Sequence, residues 1–265
     1  MTTIHNSTGA DYAYLRGGPA FSSGVVALPG YEIVRARFAR PLPLAEGFDA
    51  IAAHLRQRNR PLTALCAAEL RSPRPFTLDG FGHFNAQYVG VLREWGLIVD
   101  DAIPVARSNV CPRYDPPQEP SFHAFCYTAP LGTAHAGLLT TSDHAPEAPA
   151  PRSFVVSGFA EWLEGTPFPD GIVAHGDTSA DGLARKIGFV LDGLERNVAA
   201  LGARWQAITG VQIYTVHEFG SLVGTCFAPR GLPRLGLDWH VCRPPIDGLE
   251  LEIDVRSVRR ELVVD

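Results

Sequence analysis

The chain has 265 residues, of which 46% are hydrophobic and 19% charged, and it carries a formal net charge of −5. That is the balance of a folded globular protein with a core large enough to need no metal or disulfide staple. No apolar run approaches the ~20 residues of a membrane span, and mild acidity with a single lysine, Lys186, offers no basic stripe to a phosphate backbone, so neither membrane nor nucleic acid is an expected partner.

The first residues lack a basic segment followed by an apolar one, which predicts no secretory signal and a cytoplasmic location. Cys66, Cys111, Cys126, Cys226 and Cys242 are odd in number and scattered without a C-x-x-C pair. Free thiols are the expected state, with no metal site.

Read in chain order, YEIVRARFARPL alternates as a strand, and AEGFDAIAAHLRQRN places Phe48, Ile51, Ala52 and Leu55 at helical spacing. LTALCAAEL reads as a short buried strand. A second helix is expected over roughly 82–95, then strands at ARSNVCP and SFHAFCYT separated by the turn DPPQEP. The proline-rich end of the stretch between Pro130 and Pro151 cannot continue a regular element, which predicts two domains, 1–130 and 131–265. Beyond it the signals recur. SFVVSGFAEW is a strand, and Thr178 or Ser179 can cap a helix running to Gly202. Strands follow at VQIYTVHEF, LGLDWHVC and LELEIDVRSV, with the second helix of this half short or lost around FGSLVGTCFAPRG.

Alternation assigns the faces of the last strands. Leu249, Leu251, Ile253 and Val255 share one face, with Glu250, Glu252, Asp254 and Arg256 on the other. Asp238, His240 and Cys242 alternate with Leu237, Trp239 and Val241 in the same way, so a hairpin of the two strands would bring two polar rows together. Helices should cover the apolar face. The polar face is either solvated, as in many antiparallel sheets, or closed by another copy.

These segments resemble the RidA/YjgF superfamily. The strand SFVVSGFAEW, the helix running to AALGARW, the strand VQIYTVHEF and the terminal HVCRPPIDGLELEIDV carry the likeness, and the first half is similar to a more diverged copy through its helix, ARSNVC and SFHAFCYT. The last segment is also similar to the chorismatases. The resemblance implies an α+β fold of two tandem RidA-like, chorismate-mutase-like domains, each a mostly antiparallel sheet backed by two helices. It further implies a cleft between copies, a homotrimer, an arginine for a substrate carboxylate and an acid that positions water. Arg107 stands at the arginine position and Asp254 at the acid position, while the first half has His123, Phe125 and Tyr127 in place of the acid. The expected cleft is thus composite.

An arginine fork suits a planar carboxylate, and carboxylates crowded together have raised pKa values useful for proton transfer. Asp254, Glu252 and His240 are therefore the catalytic candidates, His240 being equally readable as structural. Arg107, Asn109, Cys111, His123, Tyr127, Cys242 and Arg243 are the substrate-binding candidates. Either cysteine is also readable as a small buried hydrophobe, and alternation points Arg243 to the helix side unless Pro244 and Pro245 twist it. The expected activity is cofactor-free hydrolysis of a small unsaturated carboxylate, by enamine or imine deamination. Chorismatase-like enol-ether hydrolysis and a non-catalytic binding or regulatory module are the alternatives.

Overall fold

A computed structural model describes residues 3–7, 9–98, 100–132, 152–163 and 165–265. The proline-rich stretch on which the predicted boundary rests lies, from residue 133 to 151, outside the described residues.

Two sheets are stacked face to face. The first joins seven strands in the order β1 (Ile4–Asn6), β2 (Tyr12–Leu15), β3 (Gly24–Ala27), β8 (Phe154–Ala160), β12 (Leu251–Ser257), β9 (Gly210–Thr215) and β10 (Asp238–His240). The second joins six, in the order β11 (Cys242–Arg243), β6 (Ala106–Pro112), β5 (Leu65–Arg71), β7 (Ser121–Pro130), β4 (Tyr31–Pro43) and β13 (Arg260–Val264). Both are mostly antiparallel, with parallel pairing at β9–β10, β5–β6 and β4–β13. The fold is α+β, as expected. Strands are exchanged between the two halves: β1 to β3 extend the sheet of the second half, and β11 and β13 extend that of the first.

The helices lie on the outer faces. Helices α1 (Leu44–Gln57) and α2 (Leu78–Glu94) send Phe48, Ile51, Leu55, Phe84, Tyr88 and Leu92 into a core shared with β4, β5 and β7. Helix α3 (Ala180–Ala200) packs Ile187, Val190, Leu191, Leu194 and Val198 on Ile213, Leu251, Ile253 and Val255. The Ser179 hydroxyl accepts from Gly182 N–H at 3.2 Å to cap α3, and Gly202 ends it in the left-handed region that favours glycine. The expected loss of a second helix in the later half is seen as short 3₁₀ and π turns between Gly220 and Leu235.

Between the sheets the packing is polar at its centre. The second row of β12, Glu252, Asp254 and Arg256, is buried, covered by the chain's own second sheet. Ser108 on β6 donates to Asp254 at 2.6 Å, and Arg35 on β4 clamps Glu69 on β5 through two hydrogen bonds of 2.5 and 2.7 Å. The polar face is thus neither solvated nor dependent on another copy.

Two local expectations are corrected. The segment at 238–243 forms no hairpin with β12, because Asp238–His240 pair parallel with β9 while Cys242–Arg243 cross to β6. On β7, Ala124 stands opposite Glu69 but Phe122 opposite Leu70, so His123 is an extra residue in the ladder. Such a bulge reverses the alternation: His123 joins the charges between the sheets, whereas Phe125 and Tyr127 point into the helix-side core.

Candidate active site

Three strands and one helix converge on Arg107 and Glu252. On β8, Ser157 and Gly158 together oppose Asp254, a bulge shown by the shift in pairing between Ile253–Phe159 and Val255–Val156. The Ser157 hydroxyl donates to Ser22 O at 2.6 Å and accepts from Arg107 N–H at 2.9 Å, tying β8 to the edge of β6. Gly158 leaves the room that the Glu252 carboxylate fills.

Arg107 is 3% exposed. Its guanidinium lies in an aromatic cage, with ring centroids of Phe21, Tyr88, Phe81 and Phe84 at 4.9, 5.1, 5.4 and 5.7 Å. Nη2 donates to Asn85 Oδ1 at 2.8 Å, and Nη1 has no hydrogen-bond partner among the described residues. Burial lowers its pKa to about 10. It remains a cation at neutral pH, and a buried cation with an unused donor favours an anion.

Glu252 is held differently from its neighbour Asp254. Burial, and secondarily the charge of Asp254, raises the Glu252 pKa to about 8, against the opposing pull of Arg107, Arg71 and the Asn109 N–H that donates to it. Its Oε1 has no hydrogen-bond partner among the described residues. Asp254 accepts from Ser108 at 2.6 Å, Tyr214 at 2.9 Å and Gln212 at 3.1 and 3.2 Å. Its pKa is also raised, by burial first and then by Glu69. The open oxygen therefore belongs to Glu252. Beside Asp254 a cavity of about 10 Å³, lined by Arg107, Ser108, Ser157 and Arg256 among others, is of the size one water molecule needs.

The remaining candidates divide. Asn109 accepts from Ser72 at 2.9 Å and leaves its Nδ2 without a partner among the described residues, beside Glu252. Burial pushes the Cys111 thiol up to about 12 and that of Cys242 to about 11, so both stay protonated at neutral pH. Cys242 packs with Val110 and Tyr214. Arg243 is engaged with Glu250 at 2.7 Å, and Glu250 also meets His217 at 2.7 Å, which takes Arg243 out of the role of free clamp. His240 stacks on Tyr214 with centroids 5.1 Å apart and stands 6.4 Å from His123. Burial lowers their pKa values to about 4 and about 3, so both rings are neutral at pH 7. Tyr127 is removed from the site by the β7 bulge, its ring lying 5.1 Å from His54. Among the described residues no three His, Cys, Asp or Glu side chains are grouped to hold a metal ion.

Sequence reasoning missed the cage around Arg107, because Phe21 comes from the loop before β3 and Phe81, Phe84 and Tyr88 from α2, so that only the fold brings them to β6. The glycine of SFVVSG was visible, but its meaning depended on the bulge.

The family model described as "2-aminomuconate deaminase CnbZ" matches residues 4–262. The chain is similar to a 2-amino-5-chloromuconate deaminase from Comamonas testosteroni, 45% identical over 254 residues that cover 96% of each chain. Among solved structures it is similar to a chorismatase, 18% identical, covering 96% of this chain and 86% of that one with a TM-score of 0.39. It is also similar to the YjgF gene product from E. coli, 18% identical, covering 41% and 81% of the respective chains with a TM-score of 0.29. With a family match that takes in β8, β12 and the whole surround of Arg107 and Glu252, the chain belongs to the 2-aminomuconate deaminase CnbZ family.

Proposed function

We propose that this chain hydrolytically deaminates a small unsaturated amino carboxylate of the aminomuconate kind. The observation that carries the reading is the pairing of two incomplete buried groups: Arg107, with an unused donor, and Glu252, with an unused oxygen and a pKa raised to about 8. In an enamine carboxylate the electron-rich carbon takes a proton from the Glu252 carboxyl, giving an iminium ion. Water adds to the iminium carbon and returns a proton to the Glu252 carboxylate. The tetrahedral adduct then expels ammonia, so enamine plus water gives 2-oxo acid plus ammonia. Arg107 holds the substrate carboxylate, and its aromatic cage keeps competing water away from the ion pair, where charge interactions are strongest. Acid, clamp and water suffice, so the reading includes no cofactor.

Ammonia release from enzymatically generated 2-aminomuconate tests the reading. Wild-type protein should release it, and Arg107→Lys should bind substrate more weakly by about 1.5–3 kcal/mol, the worth of a hydrogen bond to a charged group. No release above the spontaneous rate overturns the activity. The resemblance alone carries a homotrimer into this reading, and light scattering that returns a monomer would remove it.

A further inference from the structure

Arg71, at the end of β5, is 4% exposed, yet it forms no ion pair among the described residues. Its Nη1 donates to Leu70 O at 3.0 Å, its guanidinium carbon lies 5.4 Å from the Tyr214 ring centroid, and its Nη2 has no hydrogen-bond partner among the described residues. Two of the nearby carboxylates are committed elsewhere. Glu69 is held by both branches of the Arg35 fork, and Asp254 is occupied by Ser108, Gln212 and Tyr214. Leaving an arginine buried and unpaired is costly, and the cost is offset when the missing partner is the ligand.

Position gives the ligand its form. On the parallel pair β5–β6, Arg71 stands opposite Val110 and shares its face, between the sheets, while Arg107 is on the other face of β6 under α2. Glu252, reaching the free edge of β6 at Asn109, feels the charge of both arginines. The acid thus neighbours two buried cations, each with one guanidinium nitrogen that has no hydrogen-bond partner among the described residues.

We propose that Arg71 is a second carboxylate clamp, the residue that holds the far carboxylate of a muconate-type dicarboxylate whose near end is held by Arg107. This rests on the proposed deaminase reading for the identity of the reaction, but not for the binding it foresees. A monocarboxylate satisfies Arg107 alone and leaves the Arg71 N–H unpaired, and an unpaired buried group is the stronger source of discrimination.

The experiment compares two non-reacting ligands of equal chain length, cis,cis-muconate with two carboxylates and sorbate with one, by calorimetric titration of the full chain. Wild-type protein should bind muconate at least about 10-fold more tightly than sorbate, a difference of about 1.4 kcal/mol. Arg71→Gln should abolish that preference while sorbate affinity is kept, whereas Arg107→Gln should weaken both ligands. Arg71→Lys, which keeps the buried charge, should retain part of the preference and guards against a folding defect in the glutamine variant. Equal binding of the two ligands by wild-type protein, or a preference that survives both Arg71 variants, overturns the assignment. If the preference is lost in Arg71→Gln but wild-type protein releases no ammonia from 2-aminomuconate, the deaminase reading fails and the clamp stands.

Discussion

Glu252 occupies the room that a side chain at Gly158 would need: a Cβ built on Gly158 falls inside the Glu252 carboxylate. The bulge on β8 places this glycine there, since Ser157 and Gly158 together share the one place in the ladder opposite Asp254. Gly158→Ala should therefore displace the carboxylate without unpairing the strands. A misplacement of ~1 Å is able to cost about 10²-fold in rate. Turnover should fall toward that level with little change in melting temperature, and wild-type turnover in the alanine variant would detach Glu252 from the chemistry.

The two carboxylates of β12 are separable by amide substitution. Glu252→Gln removes the group with the open oxygen and should lower turnover by about 10²- to 10⁴-fold, the usual contribution of general acid/base catalysis. Asp254→Asn keeps the shape but turns one acceptor among Ser108, Tyr214 and Gln212 into a donor. It should cost stability first and turnover less than Glu252→Gln does. The reverse ranking in steady-state kinetics would return the acid/base role to Asp254.

Activity should decline as pH rises through about 8, because in the proposed reaction the protonated Glu252 carboxyl is the proton donor and its pKa is raised to about 8. Stability should move the same way. The folded pKa lies above the ordinary 4.5, so the group's contribution is present below that value and is lost as pH rises from 4.5 through 8. Glu252→Gln should flatten both profiles across this window. His240 and His123 should add no inflection near pH 6.5, since burial holds them at about 4 and about 3. A wild-type-like pH dependence of denaturant midpoints in Glu252→Gln would place the titration elsewhere.

Legibility in the sequence followed the range of the interaction. Helix α3 was readable to its ends because Ser179 and Gly202 are local signals, and the two faces of β12 were readable because alternation is local too. Arg107 and Asp254 came from the resemblance and Glu252 from alternation along β12, and the structure brings the three together. What covers the polar row of β12 was not readable, since it depends on β6 and β5 stacking across the chain. The failure at Tyr127 has a definite cause: one extra residue at His123 reverses a period of two, and no local signal marks the bulge. Arg71 escaped notice because it closes the run LTALCAAEL as an ordinary charged strand end, and only its burial without an ion pair makes it informative.

The position of Glu252 also depends on an ion pair remote from the proposed chemistry. Lys186 on α3 is fully buried and meets Glu161 at 3.3 Å and Val173 O at 2.9 Å. Glu161, just beyond β8, accepts from the N–H groups of Glu250 and Leu251 at 2.6 and 3.1 Å, fixing the two residues that lead into Glu252 at the start of β12. Burial raises the Glu161 pKa, with Lys186 and the backbone donors opposing that rise. Lys186→Met strands the carboxylate, and breaking a buried pair from one side typically costs about 3–5 kcal/mol. Glu161→Gln with Lys186→Met removes both charges and should recover part of that loss, because an amide oxygen still accepts from one of the two N–H groups. Turnover should follow in the same order, lowest in the single Lys186→Met variant and partly restored in the double. A coupling near zero in the double-mutant cycle would show that Lys186 serves only the packing of α3, and that the start of β12 is set by the backbone ladder alone.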